Sequence, residues 1–174
     1  MSKLKVVFQS PARSAGFTIL TMLVWSLIGA LPVFAGAAAS PSEGDIIQAV
    51  LAANSRMTAA ANRLDTDAFF ACIVDSDESR IIQDGKLFKT RAEAMTAVRQ
   101  GSQKIVKIER RFIDPHVTVL APGVALLTTE GTTSATLQEG RTINSRFAVS
   151  LVFVLRDGEW RLFHGHYSLP NPSP

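Results

Sequence analysis

The stretch FAVSLVFVLRDGEWRLFHGHYS, Phe147 to Ser168, decides the fold. Asp157-Gly158 separates two apolar runs, and Asp-Gly in that setting is a strong local signal for a two-residue hairpin turn. Such a turn pairs Arg156 with Glu159. Counting outward, it sets Leu155 against Trp160, Phe153 against Leu162, Leu151 against His164, Val149 against His166 and Phe147 against Ser168. Cross-strand partners share a face. One face of the hairpin is therefore expected to run from an apolar end, anchored in the core by Trp160, to a stripe of His164, His166 and Ser168 beside an apolar wall. A greasy lining with few polar groups is how small-ligand pockets are built.

Outward from this hairpin the chain is strand-like from Lys104 to the end. Breaks at Pro115, Ala121-Pro122-Gly123, Glu139-Gly140 and Asp157-Gly158 divide it into strands near 104–120, 124–136, 141–156 and 159–168. Upstream, Ser42 reads as an N-cap with Asp45 completing a weak capping box. Ile46, Ile47, Val50, Met57, Ala61 and Leu64 recur at helical spacing over about 43–63. Asp65-Thr66-Asp67 opens a short second helix. A second Asp-Gly, Asp84-Gly85, sits between Ile81-Ile82 and Leu87-Phe88 and predicts a small hairpin. Thr90 and Glu93 form a capping box for a third helix over 91–100. Helices first and a meander second give an α+β fold, with the helices gathered on one face of an antiparallel sheet.

Phe147 to Leu155 is almost continuously apolar, the pattern of a strand covered on both faces. Three helices cover one face, so the other is expected to be covered by a second copy, in a homodimer through the sheet face opposite the pocket. The alternative is a strand merely rich in β-formers. An even loop near Glu139-Gly140 would put Glu130 on the His face, near Val149 and His166. An odd loop would turn it away, because a slip of one residue reverses every side chain. Arg146 falls on the face opposite His164 in this register.

The first 35 residues read as a secretory signal peptide. Lys3, Lys5 and Arg13 precede the uncharged run Phe17 to Ile28, Gly29 and Pro32 break it, and Val33-Phe34-Ala35 offers small residues at the cleavage positions. The run is shorter than the roughly 20 residues that span a bilayer, so membrane attachment is expected only if the leader stays uncleaved. Export to the periplasm or medium follows, with residues 36–41 as a linker, 42–170 as the domain and 171–174 as a tail. Of 18 Lys and Arg, three lie in the leader, and the remainder balance the 15 Asp and Glu. A neutral domain without a basic cluster argues against nucleic acid as partner. Cys72 is the lone cysteine. It cannot form an internal disulfide, and it reads as a small apolar residue of the core.

The order of elements resembles the SnoaL-like branch of the nuclear transport factor 2-like superfamily. The ending Asp157-Gly158-Glu159-Trp160-Arg161-Leu162-Phe163-His164-Gly165-His166-Tyr167-Ser168 is also similar to the terminal strand of the calcium/calmodulin-dependent protein kinase II association domain, with Trp160, His164, His166, Ser168 and Pro170 at matching spacings. The resemblance covers about residues 43–170. It implies a curved sheet wrapped around the long N-terminal helix, a conical cavity and, often, a dimer. Ketosteroid isomerase belongs to the same superfamily, so its chemistry can be compared. That enzyme uses an Asp base with a Tyr and a protonated Asp as oxyanion donors. Asp84 stands about where the base would be. The Tyr position falls near Met57, and Ser150 to Leu155 offers no second acid. Steroid isomerisation is therefore disfavoured.

The resulting candidate site is Asp84, Glu130, His164, His166 and Ser168. The histidines could line the pocket, act as an acid/base pair, or hydrogen-bond into the core. Asp84 could equally be just the Asp of its turn, and His116 beside Pro115 reads as a solvated or bulge residue. Two His at alternate strand positions lack an assigned third ligand, so no metal is assigned, and no cofactor motif is read. The expected function is an exported module that binds a small apolar ligand or supports assembly, without catalysis. The alternative is an isomerase, cyclase or dehydratase moving a proton on a small apolar carbonyl compound.

Overall fold

The computed structural model describes residues 40–170. The signal-peptide reading, most of the linker and the tail lie outside the described residues. Three helices come first: α1 (Glu43–Asn62), α2 (Thr66–Ala71) and, after a small hairpin of β1 (Arg80–Gln83) and β2 (Lys86–Phe88), α3 (Arg91–Ser102). Four long strands follow: β3 (Ile105–Ala121), β4 (Val124–Leu137), β5 (Thr142–Arg156) and β6 (Glu159–Ser168).

Local chemistry sets the boundaries. At α1, the Asp45 N–H donates to Ser42 Oγ at 3.2 Å, and the Ser42 N–H donates back to Asp45 Oδ2 at 3.1 Å. These bonds satisfy amides that a helix start leaves without partners. Thr90 caps α3 by one half of such a box, its side chain accepting from the Glu93 N–H at 3.1 Å, while the Glu93 carboxylate accepts from the Lys89 N–H at 2.8 Å instead of that of Thr90. Both Asp-Gly turns take left-handed backbone at each central residue, with φ of 53° and 74° at Asp84-Gly85 and 52° and 78° at Asp157-Gly158. That is the turn whose twist matches paired strands.

The six strands form one sheet in the order β2-β1-β6-β5-β4-β3. Every neighbouring pair is antiparallel except β1 and β6, which run parallel, with Arg80 opposite His164 and Gln83 opposite Tyr167. The sheet is thus mixed rather than wholly antiparallel. The β1–β2 hairpin reaches the β6 edge early in the chain, and the intervening helix and three strands return the chain beside it, a crossover that a parallel pair requires.

The inner face of the sheet packs on the helices. Leu127 and Leu151 are fully buried, and Phe147, Val149, Phe153, Trp160 and Leu162 join Val50, Ala53 and Met57 of α1 and Phe70 of α2 in one core. Cys72 is half-buried at the end of α2 rather than fully enclosed, and burial pushes its thiol pKa up. Among the described residues no helix is long and apolar enough to cross a membrane.

The hairpin register holds for only half its length. Arg156, Leu155 and Phe153 pair with Glu159, Trp160 and Leu162 as expected, but then Val152 pairs with His164, Ser150 with His166 and Ala148 with Ser168. Phe163 is an extra residue in β6, a β-bulge. It lies where β6 changes its outer neighbour. Leu162 bridges Ile73, donating to the Cys72 carbonyl and accepting from the Val74 N–H, whereas His164 onward pairs with β1. One inserted residue exchanges the two faces beyond it. Gly165 and Tyr167 therefore turn inward, and His164, His166 and Ser168 turn to the outer face.

Candidate ligand cavity and its polar donors

A cavity of about 530 Å³ lies between the inner face of the sheet and the helices. Its apolar wall comes from Phe69, Phe70 and Ile73 at α2, Ala94, Ala97 and Val98 on α3, Ile105 and Ile108 on β3, and Leu162 on β6. These residues converge because α2 and α3 close over the side of the sheet that α1 leaves uncovered. Exposed Gln83, Asp84 and Lys86 of the β1–β2 hairpin also border it.

Two polar side chains stand out within this wall, Arg110 on β3 and Tyr167 on β6. The main chain of Arg110 is held by Asn62 at the end of α1. Asn62 Nδ2 donates to the Arg110 carbonyl at 3.1 Å, and the Arg110 N–H donates to Asn62 Oδ1 at 2.8 Å. The guanidinium stacks over two rings, with Cζ 5.7 Å from the centroids of both Phe147 and Tyr167, a contact that favours the cation. Its Nε is buried without an acceptor, and so is the Tyr167 hydroxyl. Each such unmade bond costs about 1–3 kcal/mol. Burial raises the Tyr167 pKa, and the Arg110 charge only partly opposes this. The phenol therefore stays protonated near neutral pH and can donate. Among the described residues Arg110 forms no ion pair.

A more open groove of about 460 Å³ runs between α1 and β3, lined by Asn54, Ser55, Thr58 and Asn62. Arg110 borders it as well, and the buried Asn54 Oδ1 there has no donor.

Of the residues expected at the site, Asp84 borders the cavity. The other four sit on the outer face. His166 and Ser168 are exposed and His164 is half-buried there, reversed by the Phe163 bulge. Glu130 opposes Ala148, with Thr136 opposite Thr142, so the loop between β4 and β5 is odd in length and turns Glu130 outward. It pairs with Arg146 at 2.9 Å. Arg146 shares the face of His164 and His166, contrary to the expected register. His116 is exposed beside a bulge between Ile113 and His116, in keeping with its sequence reading. Met57 is 1% exposed in the core. Among the described residues no group of three or more His, Cys, Asp or Glu is placed to hold a metal. Arg110 and Tyr167 were not among the expected residues. Arg110 carries a usable signal, since Ile108, Arg110 and Phe112 alternate and so share one face. Tyr167 carries none without knowledge of the bulge.

Comparison with known proteins agrees with this architecture. A candidate dehydratase of the nuclear transport factor 2-like family from Streptomyces avermitilis superposes with TM-score 0.67 at 17% identity, covering 75% of this chain and 100% of that one. A nuclear transport factor 2-like superfamily protein from Salmonella enterica gives 0.68 at 16%, covering 76% and 96%. A candidate calcium/calmodulin-dependent protein kinase II association domain from Xanthomonas campestris gives 0.63 at 15%, covering 79% and 94%. At these identities the likeness is one of fold. No curated protein matches the chain. Residues 50–172 match the SnoaL-like domain. With that match over most of its length, and a cavity enclosed by three helices and a curved sheet, the chain belongs to the SnoaL-like domain family.

Proposed function

We propose that the protein binds a small, mainly apolar organic molecule in the cavity between α2, α3 and the sheet. The mainly apolar wall, with charged groups at Asp65, Asp84, Lys86 and Arg110, carries this reading, since an apolar lining with polar groups that fix orientation is the usual build of a small-molecule site. The supporting experiment is native mass spectrometry of the full chain purified from its own host, alongside Ala97→Trp, which fills the cavity from α3. A co-purifying small molecule on the wild type and its loss from the variant support the reading. Equal occupancy of both would contradict it.

A second reading, proton transfer on a carbonyl compound, gains from one observation. Asp84 and Tyr167 border the same cavity, so a residue that can serve as a carboxylate base and one whose phenol can donate to a developing oxyanion belong to one lining. Asp84→Asn would then abolish turnover while sparing ligand binding.

Export and self-association complete the proposal. The basic, then apolar, then small-residue order of the first 35 residues supports a cleaved leader, which N-terminal sequencing of the mature protein would test. The outer sheet face supports a homodimer. Val124, Leu126, Val152 and Val154 form a half-buried apolar block there, and Ile113, further along the same face, is 46% exposed. Two copies meeting on that face would remove this surface from water.

A further inference from the structure

We propose that the cavity selects a monocarboxylate, holding the head group at Arg110 and Tyr167 and the apolar tail against Phe69, Val98 and Leu162. The inference rests on the cavity being the ligand site and adds the class of ligand. Arg110 and Tyr167 both line the cavity, and each has a buried donor with no acceptor from the protein. The guanidinium carbon lies over the rings of Phe147 and Tyr167, and neither ring offers an acceptor to its buried Nε–H, which stays open to a partner. The guanidinium is charged, lies on an inner strand face and forms no ion pair among the described residues. A planar carboxylate matches the guanidinium fork and supplies the missing opposite charge. It also leaves a second oxygen to accept from the Tyr167 hydroxyl.

The rest of the site argues for a single negative charge. Asp65 and Asp84 border the cavity against Lys86, so the groups around Arg110 supply no surplus of positive charge for a dianion such as a phosphate monoester. A neutral amide or alcohol would satisfy the hydrogen bonds but leave the guanidinium without a counter-charge. Asn62 makes the placement rigid, because its two bonds to the Arg110 main chain fix the strand from which the side chain projects.

The test compares octanoate with octanamide, equal in tail and shape but different in charge, by calorimetric titration of the full-length protein. Wild type should bind octanoate at least tenfold more tightly than octanamide. Arg110→Met should erase that preference while leaving octanamide affinity within threefold, and Tyr167→Phe should weaken octanoate severalfold. The wild-type ratio needs no variant, so a poorly folding Arg110→Met, judged by circular dichroism, does not spoil the test; Arg110→Gln provides a second version. Equal affinity for both compounds, or a preference that survives loss of Arg110, overturns the carboxylate assignment and leaves the cavity reading intact. Failure of both compounds to bind overturns the two together. Binding that is unchanged in Ala97→Trp overturns the cavity reading specifically, because the ligand then sits elsewhere.

Discussion

Gly131 stands on β4 between Phe112 of β3 and Phe147 of β5, all in one row of the inner face. The two rings meet edge to face across it, 5.5 Å apart, an arrangement aromatic pairs prefer. A methyl group at Gly131 would overlap the Phe147 ring and the Arg111 carbonyl. Gly131→Ala should therefore destabilise the domain by about 1–3 kcal/mol through overpacking, read as a lower urea midpoint at unchanged slope. Phe147 also carries the Arg110 stack, so the same substitution should weaken ligand binding. At Asn62, replacement by Ala removes both bonds to the Arg110 main chain and should cost about 1–3 kcal/mol, measured in the same way. His166→Ala, on the exposed outer face, should leave both stability and cavity binding unchanged. The sequence register, which turns His166 inward, requires the opposite outcome for binding.

At the scale of elements, what was legible in the sequence is what local chemistry decides. Ser42 with Asp45, Thr90 with Glu93 and the two Asp-Gly turns place helix starts and hairpins within a residue or two of where they lie. The strand ends from Ile105 to Ser168 were equally legible. The inward face of the far end of β6 was not. It depends on the Phe163 bulge, and that bulge lies where β6 exchanges Ile73 for Arg80 as its neighbour. No residue near Phe163 announces a contact made so far away in the chain. The same distance hides the parallel β1–β6 pair. Deleting Phe163 would restore the continuous register and drive His164 and His166 toward the core. We expect that variant to lose several kcal/mol, since two imidazoles would displace Gly165 and Tyr167 from buried positions; burying a polar group without a partner alone costs about 1–3 kcal/mol. A variant as stable as wild type would contradict the role given to the bulge. The capping box at α1 gives a pH-dependent counterpart. The Ser42 hydroxyl and then the Ser42 N–H, both bonded to the Asp45 carboxylate, lower its pKa. A lowered carboxylate pKa adds stability above the unfolded value that is lost as pH falls through the folded one. Ser42→Ala should thus destabilise the domain more at neutral pH than at pH 3, compared by thermal melts at both.

For the molecule as a whole, one sheet presents two surfaces of different character. The inner face borders a cavity lined by Arg110 and Tyr167, each with a buried donor that has no protein partner, and the outer face carries every histidine in the chain together with an apolar block of valines and leucine. Val152 lies in that block, in the row of His164, Leu126 and Thr118. If two copies pair there, Val152→Glu should shift the protein from dimer to monomer in size-exclusion chromatography with light scattering, because a buried like-charge pair opposes association. A wild-type monomer would refute the pairing. The proposed function depends on which surface takes the small molecule. Titrating octanoate into isotopically labelled protein and following amide shifts by NMR decides this most directly. We predict that the perturbed amides cluster at Phe69, Val98, Ile105, Arg110 and Tyr167. Shifts confined to Glu130, His164, His166 and Ser168, or no shifts anywhere, would contradict it.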